Sequence, residues 1–277
     1  MSKGRIVTVI LTLVLIVGLS LLLYPMLSDY WNSLHQSKAV AEYAENVANI
    51  DQNEYEQLLK AAEEYNEKLR GRDARYHMTA DELKEYNELL NIAGNGVMGY
   101  IEVPSIGVAL PIYHGVDEAV LQIAIGHIEW SSLPIGGEST HSVVSGHRGL
   151  PSAKLFSDLD KLKKYDLFII RVLDETYTYE VDQIRTVEPD DAKDLSVEEG
   201  KDLCTLVTCT PYGVNSHRLL VRGHRVDNAT VTKTIRVVAD ATRIEPLIMA
   251  PVVAIPMLLV MVVWLVLPTK KKKSLRK

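Results

Sequence analysis

Two uncharged apolar stretches near the ends of the chain limit the folds that it can adopt. Ile6–Leu23 follows Lys3 and Arg5, and Leu247–Leu267 precedes the basic tail 268–277. Each stretch is long enough to cross the hydrocarbon core of a bilayer as a helix. A folded domain is therefore expected between them, with predicted membrane spans at 1–23 and 247–267.

The first stretch is expected to remain attached as an anchor. A cleavable signal peptide is the alternative, but no small-x-small cleavage site follows Leu23. Pro251 and Pro256 weaken the second span without excluding it. Because basic flanks of membrane spans stay on the cytoplasmic side, we expect both termini in the cytoplasm and about Tyr24–Glu245 outside the cell membrane.

The region between the spans is acidic. The whole chain has 30 Lys and Arg against 36 Asp and Glu, a net charge of −6. The two ends hold eight cations and no acids, so the middle has 22 cations against 36 acids, a net charge of −14. Nucleic-acid binding needs a basic surface, so no nucleic-acid partner is expected.

The region 24–95 has a helical pattern. Apolar residues recur at helical spacing over Asp29–Leu69, and Gly71–Met78 is a polar break. Thr79–Glu82 then has the capping-box pattern that starts another helix, ending near Asn91. We expect an amphipathic scaffold packed on the main domain. A partner-binding coiled coil is the alternative, disfavoured because no heptad is sustained.

From Gly99 the pattern changes to short strands separated by turns, over the predicted domain 96–228. Many short strands with few helices predict a mainly β fold, a closed or nearly closed barrel. Helical turns are expected at Glu118–Ile125 and Ser152–Leu159, and a linker at 229–246. The candidate strands are Tyr100–Val103, Val108–Ile112, Ser142–Ser145, Asp166–Val172, Thr176–Asp182, Gln183–Val187, Leu203–Cys209 and Arg218–Arg225.

The two cysteines, Cys204 and Cys209, share one predicted strand. Five positions apart, their side chains point to opposite faces, which disfavours a disulfide. No second Cys/His pair provides the spacing of a zinc site. Cys204 lies within an apolar stretch and is predicted to be a packed core residue. Cys209 ends the strand, and Arg218 begins the next one.

A thiol at a strand end with a guanidinium on the adjacent strand suits attack on an acyl group and stabilisation of the oxyanion. A free thiol is mostly protonated at neutral pH, so a base is needed. Among eight histidines His147 is favoured, because it follows a predicted strand and lies between Gly146 and Gly149. Glycines allow the backbone to approach a ligand closely. Other histidines remain alternatives.

Thr205–Cys209 with Arg218 nine residues on, together with Gly146–Gly149, resembles the sortase signature. Longer ungapped segments are similar to class C, the pilin-polymerising sortases of Gram-positive bacteria. The resemblance covers about Asn91–Val226, and the C-terminal apolar stretch also fits class C. The longer segments include Leu110–Gly115, Ser132–Gly137, Gly146–Phe156 and Thr208–Gly223.

This resemblance implies a sortase-type β-barrel and a transpeptidase. By it, Cys209 is the nucleophile, His147 its acid/base partner, and Arg218 the group that stabilises the oxyanion and positions substrate. Such enzymes cleave a Leu-Pro-x-Thr-Gly-like sorting signal between Thr and Gly and hold the acyl group as a thioester. Class C members pass it to a lysine amine of a pilin subunit, so the expected partners are pilins with sorting signals and acceptor lysines. No cofactor is expected.

One departure from the family pattern concerns a lid. Many class C sortases cover the cysteine with an Asp-Pro-aromatic motif, and Gly71–Met78 contains none. Asp73 and Tyr76 are the possible lid residues, but a solvated loop is favoured. The expectation is a weakly closed or absent lid. Arg148 and Arg222 are expected to form structural or surface salt bridges, and Ser145, Thr208 and Thr210 to play strand and turn roles.

Three other functions stay open at this point. A housekeeping sortase would anchor proteins to a peptidoglycan precursor, and a thiol hydrolase would use water as acceptor. A non-enzymatic, membrane-anchored assembly module would carry an inert cysteine. The long helical N-terminal region and the C-terminal apolar stretch favour class C over the housekeeping sortase.

Overall fold

The structure is a computed structural model, and it describes residues 3–72 and 76–228. The predicted linker 229–246, second span 247–267 and cytoplasmic tail 268–277 lie outside the described residues, as does Asp73. The chain divides into two units, and the change from one to the other falls between Leu27 and Ser28. The second of these units contains the sheet.

The N-terminal region is helical, as predicted. One helix in the described chain, α1, is long and apolar enough to cross a membrane, and the qualifying stretch begins at Ile6. The predicted helical region is divided near Asn49, and Asp51 caps the second helix by accepting a hydrogen bond from the Glu54 backbone N–H at 2.8 Å. The capping box of Thr79 and Glu82 is confirmed. The α-helices are α1 (Lys3–Ala48), α2 (Gln52–Leu69), α3 (Ala80–Glu88) and α4 (Glu118–Leu121).

Eight strands form a closed barrel, which confirms the predicted fold class. Around the barrel the order is β1-β2-β3-β4-β7-β8-β6-β5, with β5 returning to β1. The pairs β2–β3 and β4–β7 are parallel, and the others are antiparallel. The strands are β1 (Val97–Val103), β2 (Val108–His114), β3 (Ile125–His127), β4 (Thr140–Ser145), β5 (Leu167–Val172), β6 (Glu175–Val187), β7 (Asp202–Thr210) and β8 (His217–Val226).

Three local predictions were wrong in detail. The strand β3 was missed, because three residues are too few to show alternation. The two predicted strands on either side of Asp182 are one strand, β6, with a register irregularity between Val181 and Gln183. The predicted helical turn at Ser152–Leu159 is not a helix, and a short 3-10 turn begins at its last residue.

The physical reason for the missing helical turn lies in α1. Asp29 Oδ1 accepts a hydrogen bond from the Lys154 backbone N–H at 2.6 Å, and Asn32 Nδ2 donates to the Ser152 carbonyl at 2.7 Å. A helix over 152–159 would pair the Ser152 carbonyl with the Phe156 N–H, but here that carbonyl accepts from Asn32 and the Phe156 N–H donates to the His147 carbonyl at 3.1 Å. Leu155 also has a φ of 37°, outside the helical region.

Two apolar clusters lie on opposite faces of β4, β7 and β8. The main cluster includes Cys204, Leu206 and Leu219, as strand alternation predicts. The second includes Val143, Val207, Ala192, Leu195, Leu220 and Val187. Neighbouring residues along β7 therefore belong to different clusters. A residue of β7 at an even number of positions from Val207 faces the second cluster, and the others face the main cluster.

Buried tyrosines and histidines join the helices to the barrel. The Tyr86 hydroxyl on α3 lies 3.0 Å from His127 Nδ1 and 3.0 Å from the His127 carbonyl oxygen. Tyr43 on α1 donates to the Met98 carbonyl at 3.0 Å and accepts from the Leu173 N–H at 2.8 Å. The helical region is thus a scaffold packed on the barrel, as predicted.

Burial of histidines makes the folded state acid-sensitive. Burial lowers the pKa of His127 to about 3, and it also lowers the pKa values of His114 and His141. Below pH about 6.5 the unfolded chain binds protons at these positions, whereas the folded chain binds fewer. We predict that the free energy of unfolding falls with pH from about 6.5 towards 3, by about 1.4 kcal/mol per pH unit for each neutral histidine.

Urea unfolding of the chain in detergent micelles at pH 7.5, 6 and 5 measures this effect. The matched variant His127→Gln should show a slope smaller by about one proton. A free energy of unfolding that stays constant from pH 7.5 to 5 would contradict the prediction.

Candidate active site

Cys209 and Arg218 lie side by side on neighbouring strands. Cys209 is the residue before the end of β7, Arg218 is the second residue of β8, and the two are direct partners in the antiparallel register. Side chains of directly opposed residues project from the same face of a sheet. The backbone alone therefore places the thiol next to the guanidinium, on the side of the second cluster.

His147 reaches the same place from β4. Ser145 is the register partner of Val207 in the parallel pair β4–β7, and the Gly146 N–H continues the ladder by donating to the Val207 carbonyl at 3.0 Å. Counting two positions on from this pair, His147, which lies just beyond the end of β4, is level with Cys209 on β7. The three predicted residues thus lie at one end of three adjacent strands, β4, β7 and β8.

Alternation assigns His147 to the same face as the other two residues. Val143 on β4 belongs to the second cluster, and His147 is an even number of positions away from it. Cys209 and Arg218 have the same parity as Val207 and Leu220 of that cluster. The second cluster therefore forms apolar packing beneath the end of the sheet where the three polar side chains lie.

Each of the three side chains keeps some exposure. Cys209 and Arg218 are half-buried, and the His147 side chain is 27% exposed. Arg218 Nη1 donates to the carbonyls of Asn215 at 3.3 Å and His217 at 3.2 Å. In the described chain no carboxylate lies within ion-pair distance of Arg218, so its remaining N–H groups are available to an anion.

His147 faces a carboxylate that sequence reasoning did not find. His147 Nε2 lies 3.6 Å from Glu118 Oε2 at the start of α4. The Glu118 side chain is 71% exposed, so solvent screens this ion pair and it contributes little to stability. Within residues 3–72 and 76–228, no hydrogen bond joins Cys209 Sγ to His147 or Arg218. No local motif near Glu118 indicates this contact, because it depends on how α4 packs.

The neighbouring cations and hydroxyls are structural, as predicted. Arg148 Nη2 pairs with Asp160 at 2.5 Å, and Arg222 pairs with both Asp182 at 3.0 Å and Glu198 at 2.8 Å. Thr208 Oγ1 donates to the Gly146 carbonyl at 2.7 Å, which further ties the residue before His147 to β7.

The structure separates His147 from three other candidate bases, His114, His127 and His141, by their hydrogen bonds. His127 is fully buried between Tyr86 and the Ser132 carbonyl, and His141 is buried between the Ser196 carbonyl and Thr205. Both ring nitrogens of His114 contact backbone carbonyls. These rings serve packing, whereas His147 is open to solvent at the end of its strand.

Gly146 was expected to let the backbone approach a ligand closely, but in the structure it makes room for core side chains. A Cβ built on Gly146 would lie 2.7 Å from Ile125 and 2.8 Å from Phe156, so the absent side chain makes room for core packing. Gly149 has a φ of 78° and lies against the Tyr212 ring. The glycines therefore fix the path of the loop that bears His147.

The two thiols differ as predicted. Both cysteines are free, Cys204 is fully buried in the main cluster, and Cys209 is half-buried. Burial raises the pKa of the Cys204 thiol well above its ordinary value. Cys204 is therefore a core residue whose thiol is hardly accessible to reagents in the solvent.

Tyr76, the one possible lid residue that the structure describes, packs among the helices. Its ring lies beneath the Arg72 guanidinium, 4.3 Å from the centroid, and it contacts the main cluster. Among the described residues, Tyr76 forms no hydrogen bond with Cys209, His147 or Arg218. The predicted weak or absent lid stays a prediction.

Comparisons with known proteins agree with the fold and with the motifs at this site. The sortase domain family matches residues 101–226. Crystallised sortase C1 from Streptococcus agalactiae is 57% identical, with a TM-score of 0.67, over 69% of this chain and 99% of that one. Sortase C from Clostridium perfringens, solved with the C-terminal cell wall sorting motif, is 42% identical, with a TM-score of 0.61, over 69% of this chain and 99% of that one.

Curated relatives are more distant. Sortase D from Bacillus subtilis (strain 168) is 29% identical over 131 residues, which are 46% of this chain and 63% of that protein. The chain thus spans less than two thirds of that relative's length. The likeness to the crystallised sortases and the family match establish the family of this chain. It belongs to the sortase family of cysteine transpeptidases, and within it to class C.

Different burial of the two thiols predicts selective labelling. A small thiol reagent should modify one cysteine rapidly in the native chain and two in denaturant, because Cys204 is enclosed. Mass spectrometry should locate the native label on Cys209, and Cys209→Ala should abolish it. If labelling is slow and accelerates in Asp73→Ala or Tyr76→Ala, those residues form a working lid and the prediction of a weak lid is wrong.

Proposed function

We propose that this chain is a membrane-anchored transpeptidase that joins pilin subunits. It cleaves a Leu-Pro-x-Thr-Gly-like sorting signal between Thr and Gly and transfers the threonyl group to a lysine amine of another pilin. The observation that carries the proposal is the common position of Cys209, His147 and Arg218 at one end of three adjacent strands. Class C membership adds the substrate class.

The first half-reaction forms a thioester. The Cys209 thiolate attacks the threonyl carbonyl, and the C–N bond to glycine breaks after a tetrahedral oxyanion has formed. Arg218 donates to that oxyanion, since its guanidinium keeps its charge and has free N–H groups. His147 in its protonated form gives a proton to the leaving amine.

The second half-reaction reverses these roles. Neutral His147 accepts a proton from the incoming lysine amine, which attacks the thioester carbonyl. The C–S bond breaks, an isopeptide bond forms, and Cys209 returns as a thiolate.

Hydrogen bonds among the three side chains are expected to form with substrate. Contacts between catalytic groups are often long or misaligned in unliganded enzymes and tighten in the complex. Glu118 helps to orient His147 only weakly in this proposal, because its carboxylate is exposed.

Membrane anchoring fits this role. With both termini cytoplasmic, the barrel of 96–228 lies outside the cell, where membrane-bound pilin precursors also reside. Tethering enzyme and substrate to one surface raises their effective concentration. Support for the sorting signal comes from the Clostridium perfringens sortase C that was solved with such a motif.

An acyl-enzyme adduct tests the first half-reaction. The full chain in detergent, incubated with a sorting-signal peptide, should gain the mass of the peptide up to its threonine, located on Cys209. Cys209→Ala should show no adduct. Arg218→Ala should form it about 10²–10³-fold more slowly, because one oxyanion donor is lost.

Arg171→Ala is the matched control for Arg218→Ala. Arg171 on β5 pairs with Glu102 at 3.1 Å, and β5 is not a neighbour of β4, β7 or β8, so its loss removes an equal charge away from the three strand ends. Its adduct should form at close to the normal rate. Equal losses in both arginine variants would contradict the role of Arg218.

The acceptor distinguishes the proposal from a housekeeping sortase. Incubation with a purified pilin that has a sorting signal should yield a covalent ladder of pilin multimers on denaturing gels. Replacement of the acceptor lysine by arginine should abolish the ladder and leave the acyl adduct intact. If only a peptidoglycan-type amine accepts the acyl group, the chain is a housekeeping sortase, and release of free acid despite amine would indicate a hydrolase.

A further inference from the structure

Arg148 lies directly after His147, but its surroundings differ from those of the three strand-end residues. The Arg148 side chain is only 9% exposed, whereas the His147 side chain is 27% exposed. Charged side chains are rarely buried to this degree unless they are paired. The contacts of the Arg148 guanidinium therefore show which parts of the chain it holds together.

The guanidinium joins the loop of His147 to the end of β7. Its Nη2 pairs with Asp160 Oδ2 at 2.5 Å, and its Nη1 donates to Thr210 Oγ1 at 3.2 Å. Its Cζ also lies 5.9 Å from the centroid of the Tyr212 ring. Thr210 is the residue after Cys209, so one side chain connects the neighbour of the proposed base with the neighbour of the proposed nucleophile.

This connection lies on the face of the sheet opposite to the reacting groups. Thr210 is an odd number of positions from Val207, so its side chain faces the main cluster, whereas Cys209 faces the second cluster. Arg148 bonds to β7 from the main-cluster side. A peptide attached to Cys209 lies on the other side, so Arg148 acts on the reaction through the groups that it holds.

His147 has few other connections to β7. The Gly146 N–H ends the backbone ladder, and the Thr208 hydroxyl donates to the Gly146 carbonyl. In the described part of the chain, no backbone hydrogen bond joins His147 itself to β7. The next bond to β7 is the one from Arg148 to Thr210. His147 is therefore held between two connections, one on each side of it in the chain.

Asp160 orients the guanidinium that forms the second connection. It lies in the 3-10 turn Leu159–Lys161, where Leu159 is fully buried in the main cluster. A hydrogen bond between a guanidinium and a carboxylate is stronger than one between neutral groups. The bond to Asp160 thus keeps Arg148 directed at Thr210.

We propose that Arg148 is a positioning residue for the transpeptidase reaction. By bonding to Thr210 it sets the distance between the His147 ring and the Cys209 sulfur. This inference rests on the proposed function and adds a residue that contacts neither substrate nor reacting atoms. Because misplacement of a catalytic group by about 1 Å can cost about 10² in rate, loss of the bond should lower the maximal rate of acylation and leave peptide binding nearly unchanged.

Removal of one hydroxyl tests the bond with little disturbance of the fold. The rate of acyl adduct formation on Cys209 is measured in the full chain in detergent, as a function of the concentration of a sorting-signal peptide. Thr210→Val should lower the maximal rate by about 10–100-fold and change the half-saturating peptide concentration by no more than about twofold. Thr210→Ser, which keeps the hydroxyl, should recover most of the rate.

A double variant shows whether the two residues act through one bond. Arg148→Met combined with Thr210→Val should be as slow as Arg148→Met alone, because the hydroxyl then has no guanidinium to bind. Arg171→Met is the matched control, since Arg171 on β5 also binds a carboxylate and a threonine hydroxyl, Glu102 at 3.1 Å and Thr176 at 3.1 Å. Its adduct should form at close to the normal rate. Circular dichroism verifies that each variant is folded.

Several results would overturn the role of Arg148 while the transpeptidase function stands. These are a normal maximal rate in Thr210→Val, a loss confined to the half-saturating concentration, losses that multiply in the double variant, or an equal loss in Arg171→Met. If Arg148→Met does not fold, the Val and Ser variants of Thr210 decide. A wild-type chain that forms no adduct on Cys209 would refute the transpeptidase and this role together.

Discussion

The parallel pairing of β4 with β7 is the constraint on which the site depends. Parallel neighbours cannot be joined by a tight turn, and here β5 and β6 lie between them in the chain. The pairing brings the end of β4 level with the end of β7, although the two segments are distant in sequence. The Gly146 N–H extends the ladder one residue past β4, and the Thr208 hydroxyl donates to the Gly146 carbonyl, so the residue before His147 is fixed to β7.

The helical region supports this arrangement from outside the barrel. Asp29 and Asn32 of α1 bind the backbone of the loop that follows His147, and Gln36 donates to the Ile123 carbonyl at 2.7 Å, just beyond α4. Both segments that flank His147 are therefore attached to the helix that leads to the predicted anchor. The buried hydroxyls of Tyr43 on α1 and Tyr86 on α3 also form hydrogen bonds to the barrel.

Sequence reasoning located the elements whose signals are local. Alternation along β7 separated buried Cys204 from half-buried Cys209, and the capping box marked the start of α3. These features can be predicted from the sequence because the period of a strand and the chemistry of a helix cap are properties of a few neighbouring residues.

Features that depend on contacts between distant segments could not be predicted from the sequence. Three residues of β3 are too few for a pattern, and Ser152 and Lys154 are held by a helix more than a hundred positions away. The pairing of Glu118 with His147 and the packing of Phe156 over Gly146 also arise only in the folded chain.

Closure of the sheet restricts how a peptide can be recognised. In the described part of the chain every strand has a neighbour on both sides, although β2 pairs with the short β3 only over Ile112–His114, so no strand presents a free edge along its whole length. A bound peptide therefore finds little free edge to join as an additional strand. Selectivity for one peptide over another must come from side chains and loops above the strand ends, such as the exposed Tyr212 and Val214 next to Cys209. Related enzymes can therefore change their specificity by altering loops while the barrel stays the same.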